Sequence, residues 1–60
     1  MSINDAPVDE LALVPGIGAG RARQIVEMRE RRQFRTSRDL ARIPGISTEQ
    51  ARELGERFEF

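Results

Sequence analysis

Val14-Pro15-Gly16-Ile17-Gly18-Ala19-Gly20-Arg21-Ala22-Arg23 is the stretch on which the fold turns. Proline and glycine halt whatever precedes them, and small residues then open a helical pattern. The same layout returns 29 residues later as Ile43-Pro44-Gly45-Ile46-Ser47-Thr48-Glu49-Gln50-Ala51-Arg52. The two copies extend from Leu11 to Ile25 and from Leu40 to Leu54, with the apolar residues, the Pro-Gly pair and the Ala-Arg pair at matching places. A fixed-offset repeat marks a structural unit that buries its apolar face against a neighbouring copy. Each copy holds a short apolar segment, a tight turn and a helix, so the unit is two helices joined by a hairpin. The expected fold is all-α: a compact four-helix domain over residues 1–60, its units at about 7–33 and 36–58.

Outward from the turns, the first helix is expected from about Pro7 to Val14. Proline suits a first helical turn, Asp9 and Glu10 favour the positive end of the dipole, and Val8, Leu11 and Val14 share a face. The second, about Ala19 to Arg32, turns Ala22, Ile25, Val26 and Arg29 to one side. Arg29 on that face is expected to snorkel or to pair with a carboxylate such as Asp39. Phe34 lies in the connector and plugs the space between units. Thr36 with Asp39 forms a capping box ahead of a third helix over Ser37–Arg42, with Leu40 and Ile43 inward. Ser47 and Gln50 form another ahead of the fourth, which carries Ala51, Leu54 and Phe58 inward. Gly55 weakens that helix by up to about 1 kcal/mol unless close packing requires it. Leu13 and Met28 fall outside the main apolar stripes.

Composition removes several classes of function. The chain has no cysteine, histidine, tryptophan or tyrosine. Disulfides and thiolate metal sites are therefore absent, and so are the commonest general base and most aromatic stacking platforms. An enzyme is not expected, because no nucleophile-base pair or clustered ligand set is in view. Ten basic residues, all arginine, balance ten acidic ones, so phosphate binding has to come from a local patch instead of bulk charge. No apolar run approaches the roughly 18 residues of a membrane span, and the N-terminus lacks a signal-peptide layout. The chain reads as a soluble domain, or as a piece of a longer anchored protein, with no compartment indicated.

The chemistry lies in the hairpins. Gly16, Gly18, Ala19 and Gly20 leave backbone N–H groups unobstructed before a helix whose first amides have no intrahelical acceptor, a setting that suits a phosphate oxygen. Gly16 and Gly18 permit positive φ or close approach of another backbone, and Ile17 pins the turn to the core. Arg21 and Arg23 stand where they reach flanking phosphates. The candidate contact set is thus Gly16, Ile17, Gly18, Ala19, Gly20, Arg21 and Arg23, with Gly45, Ser47, Thr48 and Arg52 from the second hairpin. The second hairpin is the weaker site, since a serine cap occupies an N–H group and Glu49 already satisfies the dipole. The same residues also fit a plain interhelical turn, with glycines for geometry and arginines for solubility.

The combination of Ile3-Asn4, Asp9-Glu10-Leu11, Val14-Pro15-Gly16-Ile17-Gly18, Ala22, Ile25-Val26, Arg29, Phe34, Asp39-Leu40 and Ile43-Pro44-Gly45-Ile46 resembles the tandem helix-hairpin-helix domain of the competence protein ComEA and its relatives. The resemblance implies a SAM-like four-helix domain whose hairpins straddle a minor groove. It also implies sequence-independent binding of double-stranded DNA through backbone amides. In some members hairpin carbonyls hold a monovalent cation; no other cofactor is implied. Ser47, Glu49 and the zero net charge depart from that pattern. Related folds in the small extrinsic photosystem II subunit and a minor pseudopilin of type II secretion serve protein contacts. The leading expectation is weak, salt-dependent binding of DNA; the alternative is a protein-interaction or structural module within a larger parent chain.

Overall fold

The computed structural model describes residues 1–60. Pro7, at φ −69° and ψ 157°, is extended and caps α1 (Val8–Ala12) from outside, one place earlier than its expected position in the first turn. The helix is short because Leu13 and Val14 leave it for the first hairpin, where the N–H of Ile17 donates to the carbonyl of Val14 at 3.0 Å. Of the three residues expected to share its inward face, Leu11 is fully buried, Val14 half-buried and Val8 exposed. Helix α2 (Gly18–Arg31) buries Ala22 and Ile25.

Between Ser37 and Arg42 the chain forms a 3₁₀ helix, η1, where a regular helix was expected. Its bonds are of the tighter kind: Asp39 N–H donates to Thr36 and Ile43 N–H to Leu40, at 3.0 and 3.1 Å. Six residues lie between Thr36 at the cap and Ile43, which Pro44 restricts to extended backbone, so there is no room for a longer ladder. Helix α3 (Thr48–Gly55) follows the second hairpin. Its Ser47/Gln50 box is made in both directions: Gln50 N–H donates to Ser47 Oγ at 3.2 Å and Ser47 N–H to Gln50 Oε1 at 2.9 Å.

All 13 buried residues are apolar and form one cluster, so the two units share a single core. Repeat-related pairs supply much of it: Leu11 with Leu40, Ile17 with Ile46, Ala22 with Ala51, and Ile25 with Leu54. Phe34 fills the middle from the connector, and Arg42 lies 5.2 Å from its ring centre. Each fully buried leucine or isoleucine contributes about 1.5–3 kcal/mol, stabilisation on which a chain without disulfides depends.

Close main-chain packing occurs inside each unit, α1 against α2 and η1 against α3. The units are joined by side chains and by the N-terminal segment, whose Ile3 and Ala6 are buried. Asn4 clamps the connector, its side chain donating to Phe34 O at 2.9 Å and accepting from Phe34 N–H at 2.8 Å. Arg29 does not pair with Asp39. Its Nη1 donates to the carbonyls of Ile3, at 2.9 Å, and Ala6, at 2.6 Å, satisfying main-chain oxygens beside the core. Asp39 pairs with Arg42 and Arg32 instead, at 3.6 and 3.9 Å. Gly55 stands at the end of α3, where an added Cβ would collide with Ser37 Cβ, so the η1–α3 contact requires glycine. Ser2 and Glu59 form a single parallel bridge that ties the tail to the N-terminal segment.

Candidate functional site

The first hairpin is an exposed corner held from beneath by one side chain. Gly16, Gly18, Ala19 and Gly20 are exposed, and Ile17 is buried, with 3 % of its surface exposed. Gly16, Gly18 and Gly45 have φ of 92°, 73° and 88°, backbone that other L residues seldom adopt. The N–H groups of Gly16, Gly18, Ala19 and Gly20 have no acceptor within the protein, the last three because a first helical turn offers none. Ile17 differs from the other residues of the first hairpin: its side chain is in the core and its N–H is bonded to Val14, so neither is free for an external contact. No acidic residue occupies the first turn of α2, so nothing local offsets the positive end of its dipole.

The arginines divide into two kinds. Arg23 and Arg52, repeat-related, are exposed and form no hydrogen bond or ion pair, which leaves both guanidinium groups open to an external anion. Arg21 is half-buried and engaged: Nη1 donates to Gly16 O at 3.2 Å and Nη2 to Gly45 O at 3.4 Å. It reaches from α2 to the equivalent carbonyl of each hairpin. Sequence placed it among the phosphate contacts; in the fold its donors turn toward the protein's own backbone.

In the second hairpin, Gly45, Ser47, Thr48 and Glu49 are exposed. Gly45, Thr48 and Glu49 keep unpaired N–H groups, whereas the Ser47 N–H and Oγ are both committed to Gln50. Glu49 stands in the first turn of α3, placing a carboxylate beside the amides that an anion would approach. Farther back, Asp39 accepts from the N–H groups of Arg35 and Thr36 at 2.8 and 3.3 Å. The Arg35 bond above all holds its carboxyl below the usual range; partial burial opposes the shift, and Thr36, Arg42 and Arg32 add to it.

Each unit is thus a helix, a Pro-Gly-Ile hairpin and a second helix, and a family model of the helix-hairpin-helix motif matches residues 1–58. The chain belongs to the helix-hairpin-helix family. No curated protein and no solved structure gives a significant match to it. Within this helix-hairpin-helix domain no group of three or more acidic side chains is placed to hold a metal ion, and no helix is long and apolar enough to cross a membrane.

One further feature flanks the first hairpin. Leu13 is 83 % exposed and, with Met1, Val14 and Pro15, lines a shallow cleft of about 330 Å³ bordered by Glu10 and Arg57. Met28, the other apolar residue outside the stripes, packs against the core.

Proposed function

We propose that this helix-hairpin-helix domain binds double-stranded DNA without reading sequence, in the manner of the ComEA-like domains it resembles, by seating backbone phosphates on the first hairpin. The observation that carries this reading is the set of exposed, unpaired amides of Gly16, Gly18, Ala19 and Gly20 at the start of α2, with the unpaired Arg23 guanidinium close by. Membership of a family whose motif commonly contacts nucleic acid supports it. The second hairpin contributes less, through Gly45, Thr48 and Arg52. The role is one of binding, with no catalytic step and no resident cofactor. Non-specific binding of this kind has Kd of about 10⁻⁴ to 10⁻⁶ M at physiological salt, and a single open hairpin puts the domain toward the weak end.

The test is binding to an arbitrary labelled duplex at two ionic strengths, for the wild type and for Arg23→Glu with Arg52→Glu. The wild type should bind saturably at low salt and weaken as salt rises, while the double variant should bind at least about tenfold more weakly, with a shallower salt dependence. A wild type without saturable binding at low salt, or a double variant equal to it, refutes the DNA reading. A second reading, docking of another protein, is favoured by the exposed Leu13 beside its apolar cleft. It predicts that Leu13→Ser abolishes association with the partner and leaves duplex binding unchanged.

A further inference from the structure

The repeat relates Gly16 to Gly45, and one side chain, Arg21, donates to the carbonyls of both. We propose that Arg21 is a positioning residue that latches the two hairpins at a fixed separation, so that their amides face a phosphate backbone as a pair. The functional half of this statement rests on the DNA-binding reading; the latch itself does not. Four observations converge. No helix of one unit packs closely by main chain on a helix of the other, so the separation of the hairpins is set by side chains. Two nitrogens of one rigid guanidinium fork each meet a different carbonyl, a spacing fixed by the planar group that the single, compact nitrogen of an ammonium does not reproduce. The guanidinium lies close against Gly45, where a Cβ would meet Nη2 at 2.6 Å and push the end of Arg21 off the turn, while the φ of 88° at that position itself calls for glycine. Finally, the latch exists once. The repeat counterpart of Arg21 is Gln50, whose side chain is committed to the Ser47 cap. The asymmetry makes Arg21 the sole side chain that bonds to both turns.

A carbonyl pair facing one guanidinium also directs that charge inward. Arg21 then acts on phosphate through the geometry of the hairpins, while Arg23 acts on it directly. The two roles separate under lysine substitution. The experiment compares Arg21→Lys, Arg21→Ala, Arg23→Lys and Arg23→Ala by backbone amide NMR of the free protein and by duplex binding across a salt series. With the latch, Arg21→Lys shifts the amide signals of Gly45 and Ile46, which lie in the other unit, nearly as far as Arg21→Ala does. Both Arg21 variants weaken duplex binding by about tenfold, the scale of one lost hydrogen bond to a charged group. Arg23→Lys, which keeps the charge, weakens duplex binding less than Arg21→Lys does and leaves the Gly45 and Ile46 amide signals in place, and Arg23→Ala flattens the slope of log K against log salt by about 0.9, one phosphate contact. Signals of Gly45 and Ile46 that stay in place in Arg21→Lys, or an Arg21→Lys that binds like wild type, overturn the proposal. If the wild type does not bind duplex, the DNA reading fails, and the latch is judged on the amide signals alone.

Discussion

The two hairpin units descend from one pattern and differ in how much of their polar chemistry they satisfy internally. In the first, Gly18 and Gly20 open α2 with bare amides. In the second, Ser47 and Glu49 stand at those positions, the cap closes on itself through Gln50, and an acidic side chain meets the dipole. The same contrast recurs upstream. Glu10 in α1 makes no ion pair or side-chain hydrogen bond, while its counterpart Asp39 accepts from two amides and pairs with two arginines. A unit that meets its own needs is stable and indifferent to ligand; one that leaves donors open gives up stabilisation and gains a place for an anion. The second unit therefore braces the first.

The largest effect is expected where that bracing is tightest. Position 26 carries valine and its counterpart is Gly55, because η1 passes against the end of α3 with Ser37 in the way of any side chain. Gly55→Ala should destabilise the domain by about 1–3 kcal/mol, as overpacking does. At about 4–8 °C per kcal/mol for a domain of this size, thermal unfolding followed by circular dichroism will resolve it. An unchanged melting temperature would mean that η1 yields freely and that the second unit is not the rigid one.

Next in size is the cap. Ser47→Ala removes the acceptor for Gln50 N–H and should cost about 1 kcal/mol in the same assay. Glu49→Gly then tests the electrostatic side of the contrast by giving the second hairpin the residue of the first. Duplex affinity should rise by up to about fivefold, the dipole contribution of one carboxylate, while stability falls by about 1 kcal/mol as the helix loses that carboxylate and gains a glycine. No rise would mean that the second hairpin does not approach the phosphate backbone.

The smallest effect concerns acid. Because the folded state holds the Asp39 carboxyl below its usual value, its contribution to stability is present above the unfolded carboxylate value of about 4 and is lost as pH falls through the lowered one. Melting temperatures of wild type and Asp39→Asn should therefore differ at pH about 6 and converge toward pH about 2. A difference that persists unchanged in acid would assign the effect to shape instead of charge.

Much of the fold was legible because it is written in side chains at regular spacing. The repeat alone identifies Leu11, Ile17, Ala22 and Ile25 with their partners, and Ser47 with Gln50 declares its cap through residue type. What stayed hidden has a common physical cause. Arg29 with Ile3 and Ala6, Asn4 with Phe34, and Arg21 with Gly16 and Gly45 are all bonds from a side chain to main chain, four of them across 23 or more residues. Every residue carries a carbonyl, so no residue type marks the acceptor, and sequence alone leaves Arg29 either to snorkel or to pair with a carboxylate. The burial of Ile3 and Ala6 was missed for a related reason: two apolar residues ahead of Pro7 form no periodic pattern. The 3₁₀ form of η1 was missed because Ser37–Arg42 reads as helix and only the space before Pro44 dictates its pitch. At the hairpins, exposure of the glycines followed from sequence, but the inward turn of Arg21 did not.

The bridge between Ser2 and Glu59 has a mechanical corollary. The first and last residues of the chain run side by side in the same direction, joined by Glu59 N–H to Met1 O at 2.7 Å and Ile3 N–H to Glu59 O at 3.1 Å. Tension drawn through both ends would load those two bonds together in shear instead of unzipping them in turn. The clasp must give way before any force reaches the apolar interior.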